Sequence, residues 1–312
     1  MRDRALRQFC VLIGTVSWSA ISCSLCADSI VLTPVADTTL VEVAPGNNLG
    51  GQTFVNAGTT QNSNYNRGLF RFDVAATIPP ASIITSAYLM LEVVHTPSCG
   101  DSPSQFDLHR LQVPWGEGDK TNSPTGSPGQ GQPATTNEAT WIARFAFTTN
   151  LWAAPGGAAT NDYAPGISSS SFVYGLEQSP YSFDSTPVMV ADVQTWLDNP
   201  GTNFGWILIC DSEDVQFTAR RFGSREDPQK APLLTIEYTP PEINRVQATG
   251  GQFSLAFTAQ ANQTYAVEFL DSFSTLVNWS TLTNFAAQPA STNIVVSDAL
   301  TNRQRFYRLR LP

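Results

Sequence analysis

The sequence predicts an all-β protein: a jelly-roll-like antiparallel β-sandwich followed by a second, smaller β unit. Three observations carry this. Short apolar segments recur along the 312 residues, separated by Gly-Asn, Pro-Pro and Pro-Gly breakers. Charged residues make up only 14% of the chain, while 21 Gly and 21 Pro supply turns for many short strands. The stretch 233–238 alternates cleanly, with Leu234, Ile236 and Tyr238 on one face and Thr235 and Glu237 on the other.

Taken in order, the chain opens with Arg2, Arg4 and Arg7, then an apolar run from Phe9 to Ile21, then small residues up to Ala27. This is the order of a secretory signal peptide, expected over residues 1–26 and cut within about residues 23–27. A membrane anchor fits less well, because the run is short and contains Ser17, Ser19 and Ser22. Ala20-Ile21-Ser22-Cys23 is a weak match to a lipoprotein cleavage site, so lipidation at Cys23 is the minor alternative. No later segment is long and apolar enough to span a membrane. The expected location is therefore secreted or cell-surface.

Residues 28–240 read as one domain, with candidate strands at 30–32, 39–43, 53–57, 67–74, 86–95, 105–113, 141–147, 187–190, 204–210, 216–222 and 233–238. The run 204–209 is apolar and bounded by turn residues, as in a strand buried on both faces. Before it comes one helical turn, with Asp192 as a cap and Val193, Trp196 and Leu197 on one face. Residues 116–138 and 153–171 lack periodicity and are rich in small polar residues. Both read as long loops, of a length that in compact domains is usually functional or disordered.

Thr239-Pro240-Pro241-Glu242 marks a boundary. Residues 242–312 form the second unit, with candidate strands at 244–248, 252–258, 265–270, 293–297 and 305–310. Charge changes sign there. Residues 27–240 hold nine basic and 21 acidic residues, a net −12, whereas the second unit carries five arginines and four acids. Without residues 1–26 the whole chain stands at −11, a surface that repels nucleic acid and anionic lipid.

Several pieces of residues 28–240, in their order, resemble the DNRLRE-domain family, which is grouped with carbohydrate-binding modules. They are Ala36-Asp37-Thr38, Asn47-Asn48-Leu49-Gly50, Asn66-Arg67-Gly68-Leu69-Phe70-Arg71-Phe72-Asp73 and Ser86-Ala87-Tyr88-Leu89. Trp115-Gly116-Glu117-Gly118, Ala139-Thr140-Trp141, Asp192-Val193 with Trp196, and Asn203-Phe204-Gly205 follow. The last are Phe222-Gly223-Ser224-Arg225-Glu226 and Pro232-Leu233-Leu234-Thr235-Ile236. The resemblance implies a β-sandwich of exported bacterial proteins, some of them polysaccharide-degrading, and implies no catalysis by the module itself. The long loop 116–138 departs from the family's simplest pattern. Residues 242–312 resemble C-terminal modules of secreted bacterial proteins through Tyr265-Ala266-Val267-Glu268, Asn278-Trp279 and Arg305-Phe306-Tyr307-Arg308. That likeness implies a small immunoglobulin- or fibronectin-like β-sandwich.

Little in the sequence points to catalysis. Only His95 and His109 are present, and no nucleophile-elbow motif accompanies them, so ordinary sheet histidines are the simpler reading. Of five cysteines, Cys99 and Cys210 lie beyond residue 26. Both sit at the ends of predicted strands, and an even pair in an exported protein favours a disulfide. Asp211, Glu213 and Asp214 form a compact acidic loop, a weak candidate for calcium. Arg220, Arg221 and Arg225 are the one dense basic spot, able to grip carboxylates. Arg67 and Arg71, with Asp73 close by, read as ion pairs on a sheet.

Aromatics are the remaining lead, because sugar rings stack on aromatic faces. Trp196 and Trp206 sit in apolar patterns and are expected in the core. Trp115, Trp152, Tyr163, Tyr174 and Tyr181 lie in or beside loops and are the ligand candidates. The expectation is an exported, non-catalytic protein that binds carbohydrate or a cell-surface polymer. The alternatives are a structural surface or matrix protein and a secreted polysaccharide-acting enzyme with an unrecognised site. An acidic glycan needs the arginine trio or a bridging calcium to overcome the −12 charge, so a neutral glycan is electrostatically easier.

Overall fold

The computed structural model describes residues 27–98, 100–272, 278–299 and 304–311. The signal-peptide expectation, the Cys23 alternative and Cys99 lie outside these residues. The chain divides into two compact units: Ser29–Thr77 with Ile84–Tyr238, and Thr239–Pro312 with the segment Ile78–Ile83. Ala81, from that segment, belongs to the same apolar cluster as Phe253, Phe257 and Tyr307.

The first fourteen strands are β1 (Asp28–Leu32), β2 (Ala36–Val41), β3 (Asn47–Asn48), β4 (Phe54–Thr59), β5 (Tyr65–Arg71), β6 (Ile83–Leu91), β7 (Val93–His95), β8 (Ser104–Leu111), β9 (Gln132–Pro133), β10 (Tyr163–Val173), β11 (Tyr181–Phe183), β12 (Trp206–Cys210), β13 (Arg220–Gly223) and β14 (Leu233–Thr239). One helix, α1 (Pro187–Asp198), interrupts them. A four-stranded sheet runs β1-β14-β6-β11, and an eight-stranded one runs β10-β8-β12-β5-β4-β13-β7 with β2 on β5. The pairings with a resolved register are antiparallel. In β14 the alternation is as the sequence predicts, burying Leu234, Ile236 and Tyr238.

The large sheet is apolar on both faces, and this sets up everything that follows. Leu208 pairs with Gly68 and Leu108, and Cys210 with Phe106, in one buried row. The opposite face carries Leu69, Leu111, Ile207 and Ile209, which cluster with Trp115, Trp141 and Trp152 from the segment between β8 and β10. That segment covers part of the outer face. Strand-like composition at 141–147 is thus a loop that lays Trp141 on the sheet, with one isolated bridge at Ala143. The second half of the expected loop 153–171 belongs to β10, the longest strand among the described residues.

The expected strand at 187–190 is the first turn of α1. Thr186, not Asp192, is the N-cap: its Oγ1 accepts the Met189 amide at 3.0 Å, and Pro187 fits the first turn. Asp192 faces inward, accepting from Ser168 Oγ at 2.5 Å and Trp206 Nε1 at 3.1 Å, and pairing with Arg110 at 3.0 Å. Burial nevertheless pushes its carboxyl above the ordinary range.

The second unit holds β15 (Ile243–Thr249), β16 (Gln252–Ala259), β17 (Tyr265–Leu270), β18 (Ser280–Phe285), β19 (Thr292–Ala299) and β20 (Phe306–Arg310). Two three-stranded sheets, β15-β16-β19 and β18-β17-β20, enclose Phe253, Phe257, Tyr265 and Tyr307. Two of the three motifs quoted for this region meet across one ladder, where Glu268 pairs with Arg308 in register. Glu268 takes Arg308 on one carboxylate oxygen (2.7 Å) and Arg310 on the other (2.6 Å).

Candidate functional site

The ligand candidates read from the sequence divide sharply by burial. Trp115 and Trp152 are not exposed loop aromatics. They are 3% and 4% exposed, and their indole N–H groups donate to the carbonyls of Phe204 and Thr140, both at 2.8 Å. The physical reason is the apolar outer face of the large sheet, which needs a cover and draws its tryptophans from the long loop. Tyr163 is half-buried against His109, with ring centroids 5.2 Å apart. Only Tyr174, at 49% exposed, presents its ring to solvent.

Tyr174 follows the end of β10, and its backbone is held on both sides. The Tyr181 hydroxyl accepts from the amides of Tyr174 (3.1 Å) and Gly175 (2.8 Å) and donates to the Gly175 carbonyl (2.7 Å). Arg220 donates from Nε (3.0 Å) and Nη2 (2.6 Å) to the Tyr174 carbonyl. The rest of that guanidinium donates to the carbonyls of Ser102, Phe217, Thr218 and Ala219, each at 3.1 Å. Arg220 is 1% exposed, and burial lowers its pKa. Two residues read as ligand contacts, Tyr181 and Arg220, are therefore buried braces for the third.

Beside Tyr174 stands Phe172, 50% exposed, which the sequence reading missed. The two rings meet edge to face with centroids 5.0 Å apart. Phe172 is directly opposite Gln105 on β8, and Ser170 is opposite Asp107, so these side chains share the outer face. Asp107 is buried and accepts the Gln105 amide at 2.9 Å, fixing it beside the rings. The signal for Phe172 was its period-2 spacing from Tyr174, hidden because Ser168 to Ser171 give no apolar alternation.

The arginine trio disperses into three tasks. Arg220 is the brace already described. Arg221 lies 4.3 Å from the Phe54 ring centroid, and burial lowers its pKa. Arg225 donates to Glu117 at 2.5 Å and pairs with Glu226 at 2.9 Å. Around Arg225 several motif pieces converge. Asp37 accepts the Arg225 amide at 2.8 Å, and Glu117 accepts the Asp37 amide at 2.9 Å. The Asn48 amide nitrogen donates to the carbonyls of Glu117 (2.7 Å) and Ala139 (2.9 Å). Gly118, at φ +82°, lies so close that a Cβ would fall 2.3 Å from Asn48 Oδ1. Burial pushes Asp37 well above the ordinary aspartate range, against the opposing Arg225 amide, and Glu117 rises for the same reason.

The acidic loop does not converge. Glu213 is gripped by Arg67 through two hydrogen bonds of 2.8 and 2.7 Å, while Asp211 accepts from Ser212. Among the described residues no group of three or more His, Cys, Asp or Glu is placed to hold a metal. Arg67 thus pairs at long range rather than with Asp73, and it also lies over Trp141 at 5.7 Å. Cys210 is a buried, free cysteine in this structure, and Cys99, the partner expected from the sequence, lies outside the described residues. Burial raises its thiol pKa. No protein-family model and no curated protein matches this chain.

Proposed function

We propose that this is an exported, non-catalytic protein whose first unit binds a neutral saccharide or cell-surface polymer on the outer face of its large sheet. The observation that carries this reading is the Phe172–Tyr174 pair: two half-exposed rings on a backbone fixed by Tyr181 and Arg220. Exposed aromatic faces match the C–H faces of sugar rings, and rigid presentation lowers the ordering cost of binding. Gln105, oriented by Asp107, and Ser170 supply hydrogen-bonding groups for hydroxyls on the same surface.

A neutral ligand is favoured because the trio that offered to hold an anion is committed to carbonyls, an aromatic face and carboxylates. Convergence of Asp37, Asn48, Glu117 and Arg225 at one place supports the DNRLRE-type resemblance and accounts for those residues by structure rather than chemistry. The test is retention on immobilised neutral and uronic-acid polysaccharides at low and high salt. Salt-insensitive retention on a neutral polymer is expected. Retention confined to acidic polymers and abolished by salt overturns the reading, and no retention on any polymer favours a structural role.

A further inference from the structure

A second place on the first unit has the makings of a small-molecule site, independent of the aromatic surface. Val35, Arg71, Phe72, Asp73, Pro200 and Asn203 line an open cleft of about 230 Å³. Among the described residues, Arg71 and Arg221 are the arginines whose side chains make no hydrogen bond or ion pair. Arg71 is the one that lines this cleft. Its guanidinium lies 5.6 Å from the Trp115 ring centroid, and the indole is itself fixed by Phe204. With the guanidinium carbon over an aromatic ring and no N–H group committed, its donors remain for a ligand.

The other polar groups have capacity left as well. Asp73 is exposed and uses one carboxylate oxygen on the Ala76 amide at 3.1 Å, leaving the second. No ion pair joins Arg71 to Asp73. Asn203 is tied through Nδ2 to the Phe72 carbonyl at 2.6 Å, and its buried Oδ1 has no partner. The cleft is therefore lined by the uncommitted donors of Arg71 and a free carboxylate oxygen of Asp73, with no net formal charge.

We propose that this cleft binds a small carboxylate bearing a hydrogen-bond donor on the adjacent carbon, the head-group chemistry shared by α-hydroxy and α-amino acids. The carboxylate meets the Arg71 fork, which matches it bidentately. The hydroxyl or ammonium meets Asp73. Arg71 and Asp73 line the same cleft, so one small head group can meet both, with a hydrogen bond to each. A bare dianion such as sulfate is disfavoured by the Asp73 charge, and acetate leaves Asp73 unanswered. The volume is below the range of drug-sized pockets and suits a single small unit.

The experiment is an NMR titration of the purified chain with glycolate, glycine, acetate, sulfate and glucose. It is repeated on Arg71→Lys and Asp73→Asn, whose folding is checked by thermal melting. Saturable shifts with glycolate and glycine, stronger than with acetate, are expected. Arg71→Lys keeps the charge but loses the fork, and should weaken both ligands by at least about tenfold. Asp73→Asn should weaken glycine more than glycolate, which separates the ammonium from the hydroxyl source. The proposal is overturned by shifts that persist unchanged in folded Arg71→Lys, by acetate or sulfate binding as tightly as the two head groups, by glucose alone binding, or by no binding at all.

Discussion

The outer face of the large sheet is one continuous surface treated in two ways. Over Leu69, Leu111, Ile207 and Ile209 the long loop lays down Trp115, Trp141 and Trp152. Around Gln105 and Ser170 the described residues provide no such cover, and Phe172 and Tyr174 stand half in solvent. The same residue class serves as lid in one half and as surface in the other. What distinguishes them is the polar tip: the lid tryptophans Trp115 and Trp152 donate their N–H groups inward to backbone carbonyls. In the open half the inward bonds are made by Tyr181 and Arg220 instead, which leaves the Tyr174 ring free to face outward.

The comparison is broken most severely by removing the brace. Arg220→Ala removes a donor from five carbonyls, of which only that of Phe217 keeps a backbone amide among the described residues, from Ser102, and should destabilise the first unit by about 3–5 kcal/mol, read by chemical denaturation. Arg220→Lys should recover only part of this, because an ammonium lacks the planar fork. Next comes the lid. Trp115→Ala should cost about 3–5 kcal/mol if the side chain acts as core, whereas a loss under 1 kcal/mol would show that the covered half needs no cover.

A smaller effect concerns Asp37, whose raised pKa means that the folded chain holds a proton the unfolded chain releases. Its contribution to stability is therefore full below the ordinary aspartate value, about 3.9, and is lost as pH rises through the raised folded value. Asp37→Asn keeps an acceptor for the Arg225 amide while removing the charge. It should raise stability at pH 7 by on the order of 1 kcal/mol and flatten the pH profile above pH 4. Equal stability of the two proteins across that range would count against the buried charge. A further small change belongs to the second unit, where Arg310→Ala removes a partly exposed partner of Glu268. Arg308 still holds that carboxylate, so a loss of no more than about 1 kcal/mol is expected.

The all-β class was legible from turn residues and from the alternation of 233–238, because period-2 burial leaves its mark in side-chain type. Strand β10 was not, since serines fill its buried rows and their burial rests on hydrogen bonds, Ser169 to the Asp184 carbonyl and Thr186 to that of Ser168. Residues 141–147 erred the other way: apolar spacing resembling a strand belongs to a loop fastened over a sheet. The candidate site was half legible. Tyr174, Tyr181 and Arg220 were all named from the sequence. Their division into one surface residue and two buried braces depends on β10 and β13 approaching, which no local pattern records.

The central claim rests on Tyr174, and calorimetric titration of a neutral oligosaccharide retained by the wild-type chain tests it most directly. The comparison sets wild type against Tyr174→Ala and Phe172→Ala at low and high salt, with melting curves alongside. Both residues are half-exposed, so stability should move by less than about 0.5 kcal/mol. Affinity should fall by about tenfold or more in each, independent of salt. Unchanged affinity in folded Tyr174→Ala and Phe172→Ala proteins would contradict the account.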